Sequence, residues 1–233
     1  MNSLIKKLET SPAWARVAPF AIFIALTFCQ GKLGPASPYW IYLAKTGVGA
    51  WLIWAMRPSV REMRWAFSWE AAVVGVGVFV MWVGIDGIYP PLDQVLARLG
   101  LVKATEADLW DPLRQFGNDR ALAWTFIGAR ILGSSLVVPP LEEVFFRSFF
   151  YRYVSKVDFL SVPLATFSWG PFLLTATIFG LDHNQWLAGI FCAFAYQGLV
   201  CWKKRLGDAI TAHAITNFLL GAWVVWKGAW HFW

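Results

Sequence analysis

Long apolar runs separated by short polar breaks dominate the chain. The first run is VAPFAIFIALTFC, residues 17–29. A transmembrane helix needs about 20 mostly apolar residues. On that rule the pattern predicts spans near 16–34, 38–56, 68–88, 121–138, 141–157, 165–183, 186–202 and 208–230. The expected fold class is all-α, a polytopic membrane helix bundle of about eight transmembrane helices. No internal repeat or low-complexity tract divides the chain, so residues 1–233 read as one integral membrane domain. The single long polar segment is 89–120, and its stretch LDQVLARLGL spaces apolar residues as a helix does. It reads either as an interfacial helix lying on the membrane or as a surface loop. The first run, with Lys6, Lys7 and Arg16 before it, mimics a signal peptide. More apolar segments follow at once, which favours a retained first span.

Composition agrees. Of 233 residues, 58% are hydrophobic and 15% charged, against about 25% charged for soluble domains. Mean hydropathy is +0.52. Sixteen tryptophans fit a chain with membrane interfaces. The net charge of +6 fits basic cytoplasmic loops. The basic residues are scattered between apolar spans and form no stripe, which argues against a nucleic-acid surface. Cys29, Cys192 and Cys201 show no metal spacing and read as small buried hydrophobes.

Lys6, Lys7 and Arg16 precede the first span, and Arg57, Arg61 and Arg64 follow the second. Both groups point to the cytoplasm. The net acidic segment 89–120 suits the outside. Counting on from there puts Lys203, Lys204 and Arg205 outside, against the positive-inside rule. One later segment therefore does not cross as drawn. The expected location is the cell (inner) membrane, multi-pass.

Ionisable residues inside such spans are functional candidates by default. Glu142, Glu143 and Arg147 stand in PPLEEVFFR, residues 139–147. Glu143 and Arg147, four apart, share a helix face and can pair. Glu142 lies about 140° around from Arg147 and is less compensated. A carboxylate beside another acid and out of water holds its proton more tightly, which suits a general base. Pro139 and Pro140 suit the first turn of a new helix. The alternative for this motif is a structural Glu–Arg clamp. In FGLDH, Phe179 and His183 share a face, and the flanking Asp182 and Asn184 indicate a helix end near water. In HAITN, His213 and Asn217 project side by side as two donors. They could hold an oxyanion or serve as polar glue between helices. Lys45 and Arg130 are single charges within apolar segments. A base, a second proton-handling group and an oxyanion site together make a hydrolase site.

The three motifs EEVFFR, FGLDH and HAITN, in this order, resemble those of the CAAX-processing and bacteriocin-processing family of intramembrane glutamic endopeptidases, related to the Ras-converting enzyme. The family pattern is E-E-x-x-x-R, F-x-x-x-H and H-x-x-x-N. The resemblance covers about residues 120–230. It implies that Glu142 activates water with help from His183, that His213 and Asn217 form the oxyanion hole, and that Glu143, Arg147 and Phe179 support the site. It implies no cofactor and no metal. Many relatives read FRG, whereas this chain has Phe146-Arg147-Ser148. The N-terminal half, with ARVAPFAIF and the basic loop after span two, resembles the subfamily found beside exosortases in Gram-negative bacteria. That resemblance implies envelope-protein sorting more than prenylated substrates. The expected partners are the lipid bilayer and a membrane-associated protein or peptide substrate, prenylated or C-terminally sorted, and no nucleic acid.

Three other readings compete. Two histidines and a glutamate are a known zinc set, but H-E-x-x-H is absent. A non-proteolytic membrane scaffold or immunity-type protein would keep the fold without needing the motifs. A transporter using Glu142 and Glu143 as a proton relay should carry inverted repeats, which are not seen.

Overall fold

The computed structural model describes residues 2–103 and 109–233. It is all helical, with no strand among the described residues. Among the described residues, and apart from three short 3-10 turns, ten helices follow one another: α1 (Asn2–Thr10), α2 (Pro12–Thr27), α3 (Ser37–Met56), α4 (Trp69–Gly84), α5 (Leu92–Arg98), α6 (Pro112–Gln115), α7 (Arg120–Ser155), α8 (Trp169–Leu181), α9 (Trp186–Lys203) and α10 (Gly207–Lys227). Helices α7 and α10 are long and apolar enough to cross a membrane, and α2, α4 and α8 are shorter apolar helices. Helix α4 turns Trp69, Val73, Val76 and Val80 outward at spacings of three and four. Such a stripe on one face suits lipid, not water. The protein is a helical membrane bundle.

Starts and stops are locally encoded. Ser11 caps α2 by accepting from the Trp14 amide, with Pro12 at the first position. Ser68 caps α4 through the Ala71 amide, 3.2 Å. Asp119 caps α7 through the Leu122 amide, 3.0 Å. Gly228 ends α10 in the left-handed conformation, at φ 65°.

The expected spans 121–138 and 141–157 are one helix, so the eight spans read from the sequence correspond to seven helices. Pro139 and Pro140 do not begin a new one. Prolines inside a helix remove donors and clash with the preceding turn. Here a π-turn, Gly133–Val137, precedes them, and the Val138 amide reaches back five residues to the Gly133 carbonyl. The wider turn absorbs the missing bonds without a break. A second π-segment, Val144–Phe150, follows the two glutamates. Such segments concentrate at functional sites.

Helix α7 is the hub, in contact with α2, α3, α8 and α10. Its side chains Val137, Leu141, Val144 and Phe146 lie in the main hydrophobic core. Two glycines let helices approach. A Cβ on Gly75 of α4 would lie 2.6 Å from the Ala212 carbonyl of α10. A Cβ on Gly180 of α8 would lie 2.4 Å from Ile190 Cγ1 of α9. Small residues at such crossings are the packing device of membrane bundles.

Of the cysteines, Cys192 is buried and Cys201 half-buried, as expected. Cys29 is exposed, because α2 stops at Thr27 and leaves it beyond the helix end. In the polar segment, α5 is a short helix with no buried residue, and its Leu92 amide donates to the Asn184 carbonyl, 2.8 Å. Residues 104–108 of that segment lie outside the described residues.

Candidate active site

Helix α7 carries Glu142, Glu143 and Arg147, all buried. Arg147 Nη1 lies 3.2 Å from Glu143 Oε1, an ion pair with both side chains fully enclosed. This is the pairing that the four-residue spacing predicts. The contact has ion-pair distance without hydrogen-bond direction, and all three guanidinium nitrogens lack a hydrogen-bonded partner. The ring of Phe179 supports the guanidinium instead, with Arg147 Cζ 4.3 Å from its centroid.

His183 follows the end of α8. Its Nδ1 is 2.8 Å from the Phe179 carbonyl oxygen. A carbonyl can only accept, so Nδ1 carries the proton and Nε2 of the neutral ring is an acceptor. The ring also meets Trp82 of α4, centroids 5.6 Å apart.

His213 of α10 is buried, with Nδ1 3.0 Å from Glu143 Oε1. Its Nε2 lies 3.9 Å from Glu142 Oε2, beyond direct hydrogen-bond distance. Its ring stacks on Tyr196 of α9 at 5.0 Å. Tyr196 donates to Thr216, 2.7 Å, and Thr216 donates to the Gly75 carbonyl, 2.8 Å. That chain of bonds fixes α10 against α9 and α4. Asn217 Nδ2 donates to the Ser134 carbonyl at the π-turn of α7, 2.8 Å. Its second N–H stays available.

All of these converge. Glu142, His183, His213, Asn217 and Phe179 line one cavity of about 430 Å³, while Glu143 and Arg147 stand behind it. Glu142 Oε2 is buried and has no hydrogen-bonded partner. Two carboxylates face one guanidinium, so a protonated His213 would make the group neutral. Among the described residues, no three His, Cys, Asp or Glu side chains are arranged to hold a metal ion.

Residues 123–219 match the Rce1-like family model, described as type II CAAX prenyl endopeptidase Rce1-like. The matched segment contains all seven motif residues, from Glu142 to Asn217. The segment that holds the cavity residues is thus similar to a CAAX-type membrane endopeptidase domain. No curated protein and no solved structure matches the chain.

The sequence did not signal Tyr196, Thr216, Ser134 or Trp82. Tyrosine, threonine and tryptophan within apolar helices are ordinary. Only the packing shows Tyr196 under the His213 ring.

Proposed function

We propose that the chain is a glutamic-type intramembrane endopeptidase, with Glu142 as the base. A water between Glu142 and His183 gives a proton to Glu142 and attacks the scissile carbonyl carbon. His183 Nε2 accepts a hydrogen bond from that water and orients it. The oxyanion takes the Nε2–H of protonated His213 and the free N–H of Asn217. Glu143 balances the imidazolium and fixes its ring. Arg147, backed by Phe179, holds Glu143. The intermediate then collapses, and the proton on Glu142 passes to the leaving amine. No covalent acyl-enzyme forms.

One observation carries this reading. In an apolar bundle, an unpartnered buried carboxylate oxygen, a fixed acceptor nitrogen and two donor side chains line the same cavity. A structural clamp would satisfy its own polar atoms.

A multi-pass location in the cell (inner) membrane fits the same bundle. With α7 as one helix, Lys203, Lys204 and Arg205 fall on the side of Lys6, Lys7, Arg57, Arg61 and Arg64, as the positive-inside rule asks. Two contacts support this. Lys203 pairs with Glu70 at 2.7 Å, and Ser68 donates to Asp208 at 2.5 Å. The cavity reaches Gln185 and Trp233, near the opposite end of the bundle, where His231 pairs with Asp86 at 2.9 Å. The substrate is a membrane-associated protein, prenylated or sorted by its C-terminal segment.

The test compares peptide termini in membranes of cells carrying wild type or Glu142→Gln at matched expression. Termini generated only by wild type are expected. Identical sets, with both proteins folded, would favour the scaffold reading.

A further inference from the structure

The proposed chemistry leaves two cations of the cavity unused. Lys45 of α3 and Arg130 of α7 both line it. Lys45 is 5% exposed, and among the described residues its one hydrogen bond runs to Thr27 Oγ1, 2.9 Å. Its Nζ lies 4.7 Å from the Phe23 ring and 4.8 Å from the Tyr42 ring. Arg130 is half-buried and packs over Tyr42, Trp110 and Trp233 at 4.8, 4.5 and 5.4 Å. Among the described residues, neither cation forms an ion pair with an acidic side chain.

Two like charges share the Tyr42 ring inside a membrane bundle. Aromatic faces attract cations, yet each contact gives only about 0.5–2 kcal/mol. That is small against enclosing two cations with no counter-ion in contact. Glu142 and Asp182 are the carboxylates on the same cavity wall, and among the described residues neither comes within ion-pair distance of Lys45 or Arg130. Arg130 precedes Glu142 by twelve residues on α7, about 18 Å of helix rise. Both unpaired cations therefore face the cleft, between the end near Trp233 and the motif residues.

We propose that Lys45 and Arg130 form a carboxylate-binding subsite of the cleft. Its ligand is either the free C-terminus of the bound peptide or an acidic side chain. An extended chain covers 18 Å in about five residues, so that group lies within about five residues of the bond that is cut. The subsite, made of the lining's two Lys and Arg side chains, gives the peptide polarity and register in the cleft. This rests on the endopeptidase reading in that the bound anion belongs to the substrate.

The test uses the full chain in nanodiscs of zwitterionic lipid and an apolar pentapeptide with a neutral fluorophore at its N-terminus. Three forms are compared by anisotropy: the free acid, the C-terminal amide, and the amide with aspartate as its last residue. At least one anionic form should bind about tenfold tighter than the plain amide, the size of one charge-assisted hydrogen bond. Which form gains identifies the source of the carboxylate. Lys45→Met and Arg130→Met should each lose most of that preference, their combination all of it, and Lys45→Arg should retain it. Plain-amide binding should stay within about twofold in every variant, which separates loss of the subsite from misfolding. Equal binding of all three peptides by wild type, or an undiminished preference in both single Met variants, would overturn the proposal. Mass spectrometry of the same samples reports cleavage. Wild type that shows the preference but never cuts keeps the subsite and counts against the endopeptidase reading. Cutting without the preference does the reverse.

Discussion

Two buried polar clusters share helix α7, and they differ in how completely they are satisfied. Near its C-terminal end, Glu62 from the α3–α4 loop gathers Arg16 of α2 and Ser148 and Arg152 of α7. Its Oε1 receives Arg16 Nη2 at 2.6 Å, Ser148 Oγ at 2.5 Å and Arg152 Nη2 at 3.3 Å. Ser148 also accepts from Arg16 Nε and Arg152 Nη2, both at 2.9 Å. Less than two turns earlier, Glu142 Oε2, Glu143 Oε2 and the Arg147 nitrogens lack hydrogen-bonded partners. The first cluster closes on itself and ties α2, the loop and α7 together. The second keeps capacity for something not part of the chain. A cluster of unsatisfied buried charged groups calls for an explanation, and a functional site supplies one.

That difference predicts opposite consequences for one isosteric change. Glu142→Gln should cut cleavage by about 10²–10⁴-fold, the usual contribution of a general base, with little change in thermal midpoint. Glu62→Gln leaves Arg16 and Arg152 buried against a neutral amide. It should cost about 3 kcal/mol of stability, while the protein that remains folded cuts at a near-normal rate. Unfolding midpoints and initial rates on the same preparations check both. The comparison fails if the two variants lose activity and stability in the same proportion.

Asn217→Ala sharpens the functional side. Removing one oxyanion donor should lower kcat by about 10²–10³-fold. The Ser134 carbonyl loses a hydrogen bond worth about 1 kcal/mol, so the bundle should survive. A drop of less than threefold in kcat would remove Asn217 from the oxyanion site. Gly180→Ala probes the scaffold. Its methyl would meet Ile190 Cγ1 at 2.4 Å and the Trp186 carbonyl at 2.6 Å, so α8 and α9 must separate. A cost of about 1–3 kcal/mol is expected, and His183, three residues on, should move with it. Stability equal to wild type would mean that the crossing is looser than described.

The sequence made some of this legible and hid the rest. Apolar runs gave the long helices, and motif spacing gave the Glu143–Arg147 pair and the helix end before His183. The junction at Pro139 was misread because the proline rule is local, whereas the π-turn that accommodates it spans Gly133–Val137. Joining the two halves also removes the charge conflict at Lys203–Arg205. The sequence showed Ser148 only as a departure from the FRG of the family pattern it resembles. Its hydroxyl in fact links Arg16, Glu62 and Arg152, residues far apart in sequence. Lys45 and Arg130 were visible as single charges, but 85 positions separate them, and only the packing brings both to Tyr42.

The smallest effect concerns pH and again divides the two clusters. Burial pushes the Glu62 carboxyl up, but the Arg16 charge and the hydrogen bonds from Ser148 and Arg16 outweigh it, so the group lies below its ordinary range. A carboxyl lowered in the folded state stabilises fully above its unfolded value, about 4.3, and that contribution fades as pH falls through the folded value. The gap in unfolding midpoint between wild type and Glu62→Gln should therefore be constant from about pH 7 to 5 and narrow below about pH 4. Parallel curves down to pH 3 would show that Glu62 holds α2 and α7 together by shape and hydrogen-bond count alone. The charge would then not be what separates this cluster from the one around Glu142.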